Sequence, residues 1–281
     1  MKRLESVAIV GVGLIGGSIG MALRKRDLAE RVIGIGRRQI SLRIARRVGA
    51  VTNTTIDLAK GVADVELVVV CTPVGRIVED VRAVARYCPP ETLITDAGST
   101  KATIVEALDT GLPRGCRFLG GHPLAGSQQS GAAHASADLF DGRVALVTPT
   151  VNSRAEDFDV IEEFWEALGS VVMKMSPAEH DRAMATISQL PHMAAAALAA
   201  MVPESLFRLA GSGLLDTTRL AAGSPELWWQ IIQQNRDNAL SALEQYGASL
   251  SALHAAIRDG NRDQLEQFLT KAKKNRDALG S

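Results

Sequence analysis

Through the first half of the chain, short apolar and mostly β-branched runs recur at Val7–Val10, Val32–Ile35, Leu67–Cys71, Leu93–Thr95, Phe118–Leu119 and Val144–Val147. Each is bounded by Gly, Pro, Asp or Thr, and between several of them lie segments of helical period such as Ser18–Arg26, Ser41–Val48 and Gly75–Arg86. Strands that are apolar on both faces and alternate with helices predict a doubly wound, mainly parallel sheet of the α/β class. Near Pro149 the pattern changes. One more helix–strand pair follows, Ala155–Leu168 and Val171–Met175, and beyond Ser176 the chain reads as helical to its end. Ser176-Pro177 and Ser224-Pro225 each pair an N-capping hydroxyl with a proline at the first helical turn. The expected organisation is therefore an α/β domain over 1–175 and an all-helical domain over 176–281. The Ala-rich, weakly charged stretch His192–Val202 must be buried, either inside its domain or against a second subunit.

Composition narrows the function classes. With 281 residues and 46% hydrophobic content, the chain can bury the cores of about two domains. Thirty-one basic residues balance thirty-one acidic ones, which removes any net-charge argument for nucleic acid or membrane surfaces. Cys71, Cys88 and Cys116 are odd in number and lack metal-ligand spacing, so a disulfide framework and a zinc site are not expected, and a reducing cytoplasm is. The most apolar stretch, Met193–Val202, is ten residues long, half of the roughly 20 that a membrane span requires. The N-terminal residues run straight into a strand pattern without a signal-peptide core. A soluble, cytoplasmic protein is expected.

The first strand–helix junction reads Gly11-Val12-Gly13-Leu14-Ile15-Gly16. In this position the glycines have distinct tasks. Gly11 permits the tight turn, Gly13 lets the backbone approach a pyrophosphate, and Gly16 allows close helix–strand packing. Leu14 and Ile15 begin the helix, whose unpaired N–H groups and positive dipole end face the phosphates. A Rossmann-type dinucleotide site is the result. An NAD site places an Asp or Glu at the tip of the second strand, but this chain reads Ile35-Gly36-Arg37-Arg38 there. A small residue followed by two guanidinium groups suits a 2′-phosphate, so NADP is expected, with NAD the weaker cosubstrate. Thr72 and Pro73 end the strand Leu67–Cys71, where loops of such sheets border the nicotinamide; a simple strand-stopping turn is the other reading.

Two further strand ends carry polar residues that a packed core would not select, Thr95–Lys101 and Gly120–Ser127. His122 stands where a proton acceptor for alcohol oxidation is needed, since a neutral imidazole takes a hydroxyl proton as hydride leaves the carbon. Ser99, on the neighbouring strand end, is placed to orient that ring. In the helical half, Ser188-Gln189-Leu190-Pro191-His192 puts Ser188, Gln189 and His192 on one helix face, and Pro191 bends the helix. Asp96 is expected to hold its loop through backbone N–H groups, and His180-Asp181 to cap and orient the first long helix. Lys101 is left open between a phosphate contact and solvent.

Taken with Gly13–Ser18, Asp96–Lys101, Gly120–Gly126 and Asp216-Thr217-Thr218-Arg219, these segments make the chain resemble the prephenate/arogenate dehydrogenases of tyrosine biosynthesis over nearly its whole length. The resemblance implies an oxidative decarboxylation of a cyclohexadienol, with hydride passing to the nicotinamide and carbon dioxide loss aromatising the ring. It implies that His122 accepts the hydrogen bond of the ring hydroxyl and that Ser99 bridges His122, substrate and nicotinamide. His192 then lies on the substrate side with Gln189, Ser127 and Gln128, while Arg219 binds a substrate carboxylate. It also implies a homodimer through the helical domain. Some relatives carry Glu where this chain has Gln128, so an acid–arginine gate to Arg219 is not expected here. Others carry His where this chain has Gln189. The chain's end at Ser281 leaves no room for the regulatory or mutase domains of some relatives. Prephenate and arogenate remain undecided, as does feedback by tyrosine.

Two competing readings have distinct signatures. A β-hydroxyacid dehydrogenase of similar plan typically relies on a lysine in its helical domain, and Ser176–Asp259 contains none. A non-catalytic NADP sensor requires the glycine loop but not Ser99, His122, His192 and Arg219 together.

Overall fold

The computed structural model describes residues 1–126 and 129–280. Among them, eight strands form one sheet: β1 (Leu4–Val10), β2 (Ala29–Ile35), β3 (Asn53–Thr55), β4 (Leu67–Val70), β5 (Leu93–Asp96), β6 (Arg117–Pro123), β7 (Val144–Thr148) and β8 (Val171–Lys174). Their order is β3-β2-β1-β4-β5-β6-β7-β8. Every neighbouring pair is parallel except β6–β7, in which His122 lies opposite Leu146. The expected α/β class and mainly parallel sheet are both present. Three-residue β3 escapes the apolar pattern because Asn53-Thr54-Thr55 is a polar, half-exposed edge.

Alternation along the strands splits the core in two. Val7, Ile9, Val32 and Val69 point to one face, where they meet Ile19 and Leu23 of α1 (Leu14–Lys25) and Phe164 and Trp165 of the helix Ala155–Ala167. Ala8, Val10, Val68, Val70 and Ile94 point to the other, against Ile77, Val81 and Val84 of the helix Ile77–Ala85 and Ile104 of α2 (Ala102–Leu108). This is the two-faced burial that a parallel sheet requires. Cys88 and Cys116, distant in sequence, meet there as buried free thiols with their Sγ atoms 3.3 Å apart. Burial pushes the Cys88 thiol up to about 12.

Past the sheet, the chain is helical: α3 (Pro177–Met184), a π-helical turn (Ala185–Gln189), α4 (Leu190–Met201), α5 (Ser212–Thr218), a 3₁₀ turn (Arg219–Ala222) and α6 (Pro225–Gln234). Ser176 caps α3 in a capping box with Glu179, and Ser224 caps α6. Pro191 falls in the first turn of α4, where its missing N–H costs least, and the π-helical turn absorbs the interruption just before it. These helices join the sheet in one compact unit, 1–235, so the expected division at residue 175 falls within that unit. A second unit, 236–281, contains the helices Arg236–Arg258 and Arg262–Ala278, with Asn261 capping the latter. No helix among the described residues is long and apolar enough to cross a membrane.

Candidate active site

The carboxyl ends of β1, β4, β5 and β6 lie side by side and carry the candidate residues on one sheet edge. After β1, Gly11 adopts φ +94°, and a side chain there would lie 2.8 Å from the Cys71 carbonyl. A side chain on Gly16 would collide with the Gly11 carbonyl oxygen, whereas Gly13 faces open space. Gly13 is also the N-cap of α1, without a side-chain cap or an acid in the first turn. Leu14 and Ile15 form the first turn itself. The helix therefore presents uncapped N–H donors to a bare glycine surface, which fits a pyrophosphate.

Beyond β2, Gly36 packs on Leu42, and a hollow of about 270 Å³ opens between Gln39, Leu42, Arg43, Thr54, Thr55 and Ile56. Arg37 and Arg38, just before Gln39 in sequence, are exposed, and among the described residues no ion pair involves either guanidinium. At the end of β4, the Thr72 hydroxyl is buried without a hydrogen bond, and Pro73 opens the turn Val74–Arg76. Open donors thus line the strand ends of β1, β2 and β4.

The chemistry centres on a buried chain of polar groups. His122 Nδ1 lies 2.8 Å from His180 Nε2, and His180 Nδ1 lies 2.7 Å from Asp181 Oδ1. Asp181 also accepts the backbone N–H groups of Lys101 at 2.8 Å and Ala102 at 2.9 Å. Those are the first donors of α2, so Asp181 caps a helix that is not its own. The proton positions follow from the acceptor at the end of the chain. A carboxylate only accepts, so His180 Nδ1 donates to it and His180 Nε2 carries a lone pair. His122 Nδ1 must then donate, which leaves the lone pair of His122 on Nε2. Burial, with the His180 ring and the Lys101 ammonium adding to it, holds the His122 pKa well below the usual histidine value. Burial likewise lowers His180, against the opposing pull of Asp181. At neutral pH, His122 is therefore a neutral ring with a fixed tautomer.

The expected role of His180-Asp181 as a cap for α3 is corrected: Ser176 performs that task, and both residues instead orient His122. A sequence signal existed. Met184 and Ala185 mark the buried face of α3, and His180 and Asp181 fall one turn earlier on that same face, a place where an unpartnered polar pair would be costly. Ser99 is half-exposed, and the atom that fixes the His122 ring belongs to His180 rather than to Ser99. Lys101 neither meets solvent nor faces a phosphate. It is fully buried and ion-paired with Asp96, whose carboxylate also accepts Gly98 N–H at 2.8 Å and Gly121 N–H at 3.0 Å. Asp96 thereby ties the loop carrying Ser99 to the strand carrying His122, as expected of it.

On the helical side, His192 is buried in α4 with its ring stacked on Trp228 at 3.6 Å, and its Nδ1 has no hydrogen bond. Burial lowers its pKa. Gln189 is buried; its Oε1 accepts from Asn235 Nδ2 at 3.1 Å, and that same amide donates to the Asp181 carbonyl at 2.7 Å. Gln189 Nε2 has no partner. Arg219 begins the 3₁₀ turn packed against α4, exposed and without an ion pair among the described residues. Ser127 and Gln128 lie outside the described residues.

A glycine loop at a helix N-terminus beside a tautomer-fixed neutral base defines a dinucleotide-dependent dehydrogenase. The relationships of the chain are narrower than that class. Residues 19–174 match the family model for the prephenate dehydrogenase nucleotide-binding domain, and residues 176–271 match its dimerization domain. The chain is 31% identical to prephenate dehydrogenase of Bacillus subtilis, covering 98% of this chain and 76% of that protein. It is 30% identical to cyclohexadienyl dehydrogenase of Zymomonas mobilis, covering 99% and 97%. Among solved structures, prephenate dehydrogenase of Aquifex aeolicus in complex with hydroxyphenyl propionate and NAD⁺ superposes with a TM-score of 0.91 at 30% identity, covering 98% of each chain. This chain belongs to the prephenate dehydrogenase family. A 3-hydroxyisobutyrate dehydrogenase of Salmonella typhimurium shares only the fold, with a TM-score of 0.60 at 13% identity.

Proposed function

We propose that the chain catalyses the NADP-preferring oxidative decarboxylation of prephenate, arogenate or both, as a cytoplasmic homodimer in tyrosine biosynthesis. The observation that carries this reading is the His122–His180–Asp181 chain at the tip of β6, whose hydrogen bonding leaves the lone pair of His122 on Nε2. His122 accepts the ring-hydroxyl proton there as the carbon it marks gives up hydride, and the resulting imidazolium is offset through His180 by the Asp181 carboxylate. When bound, the nicotinamide supplies the hydride acceptor. The bond to the ring carboxylate then breaks, its electron pair enters the ring as carbon dioxide leaves, and His122 returns the proton to the new phenol oxygen. Ser99 holds the hydroxyl between His122 and the nicotinamide. Arg219 holds a substrate carboxylate with its two-donor fork, and His192 and Gln189 complete the substrate side. Residues 1–175 serve the cofactor and 176–281 serve substrate and dimerisation.

NADP preference is supported by Gly36 with the unpaired Arg37 and Arg38, although the Aquifex relative was solved with NAD⁺. Dimerisation is supported by the family model for the helical region and by the exposed apolar side chains Met201, Phe207, Leu209 and Leu215 within it. The test is a four-way initial-rate assay of prephenate or arogenate with NADP⁺ or NAD⁺. Turnover in an NADP⁺ arm is expected. The absence of turnover in all four, with cofactor binding intact, would contradict the reading.

A further inference from the structure

Helix α6 touches each part of the site with a different side chain. Trp228 stacks on His192, Ile231 enters the core beside Val74 and Ile104, and Asn235, just past its end, holds Asp181 and Gln189. Gln230 Oε1 accepts the N–H of Gly75 at 3.2 Å. Gln234 does more, because its single amide spans two strand-end loops. Its Nε2 donates to the Val74 carbonyl at 3.2 Å, after β4, and its Oε1 accepts the Thr100 hydroxyl at 2.6 Å, after β5. Thr100 is fully buried and Gln234 half-buried, so water does not reach the hydroxyl side of that bond. One loop carries Thr72 and Pro73 and the other carries Ser99, the groups that border the nicotinamide. Six residues earlier on the same helix, roughly 9 Å away at 1.5 Å per residue, Trp228 sets the plane of His192.

We propose that Gln234 is a positioning residue that couples cofactor binding to substrate binding, by locking both nicotinamide-side loops to the helix whose Trp228 stacks on His192. This rests on the functional reading above. A cofactor that orders the two loops fixes α6 through Gln234 and so pre-sets the substrate side. By linkage, substrate tightens the cofactor by the same factor. Gln230 adds a weaker tie to one loop only.

The test is a pair of titrations on the whole protein, with hydroxyphenyl propionate as the substrate-side probe, each ligand alone and then with the other saturating. In wild type, each ligand tightens the other about tenfold, within the usual range of coupling between sites. Gln234→Met keeps the length and loses both amide bonds. Its affinity for each single ligand stays within about twofold of wild type while the mutual tightening falls below about threefold. Thr100→Val removes the same bond from the other side and must reproduce the loss; Gln230→Met gives a smaller one. Coupling retained in Gln234→Met or Thr100→Val overturns the proposal, as does weakening of both single-ligand affinities with coupling intact, which is what a merely structural role produces. Wild type that binds both ligands without mutual tightening also overturns it. Failure of wild type to bind the probe at all strikes the functional reading first, and the proposal with it.

Discussion

From His122 to Asn235, consecutive polar groups are satisfied inside the protein. One imidazole donates to the next, that one to a carboxylate, and the carboxylate receives two helix N–H groups. The groups proposed to meet ligands are wired in the opposite way. Thr72 Oγ1, His192 Nδ1 and Gln189 Nε2 are buried without hydrogen bonds, and the guanidinium groups of Arg37, Arg38 and Arg219 have no ion-pair partner among the described residues. Leaving buried polar atoms open costs stability. In the proposed function, bound ligands offset that cost by closing them. The contrast separates groups whose protonation must be fixed in advance from groups that gain their partners on binding.

The wired half should break hardest. His122→Asn lowers kcat by about 10²–10⁴, the range of general acid–base assistance, while NADP⁺ affinity by titration stays unchanged; near-normal turnover would remove His122 from the role. Asp181→Asn keeps the shape but removes the charge that offsets the imidazolium and sets one amide hydrogen against a donor. It should lower kcat roughly 10–10²-fold with little change in KM. In the open half, effects should fall on binding. Arg219→Ala raises the substrate KM about 10–100-fold with kcat nearly preserved, as expected for a lost charge-assisted bond. Arg37→Asp, the mildest, shifts the NADP/NAD ratio of kcat/KM about tenfold toward NAD.

The pH dependence sharpens the same contrast. In the proposed mechanism the neutral form of His122 is the active one, and its pKa is depressed by burial, His180 and Lys101. Activity therefore persists as pH falls through the ordinary histidine value and declines only at the lower folded value. Stability has the same sign. Between those two values the unfolded chain binds a proton that the folded one does not, so stability is lost as pH is lowered through that window and regained as pH rises. An acid limb of kcat/KM at or above about pH 6.5 would contradict the depression.

The parallel strands were legible because burial on both faces forces continuous apolar runs. Strand β6 was underestimated at Phe118–Leu119 because Gly120-Gly121 has no strand propensity. Its glycines answer instead to space, since a side chain on Gly121 would lie 2.8 Å from the Asp96 carbonyl. His122, Ser99 and the glycine loop were legible because their neighbours in sequence form recognisable segments at strand ends. The partners of His122 were not. His180 lies 58 residues away and reaches His122 only through the packing of α3 on the sheet edge. Lys101 was illegible for a related reason: a lysine beside a loop reads as solvated until the fold buries it on Asp96.

The proposed chemistry turns on the proton arrangement of His122, which nitrogen NMR of protein labelled with ¹⁵N in its histidines reads directly, with the His122 signals assigned by their loss in His122→Asn. The ring should be neutral at pH 7, protonated on Nδ1 and bare on Nε2, and should stay neutral below pH 6.5. An imidazolium at neutral pH, or a neutral ring carrying its proton on Nε2, would contradict that chemistry.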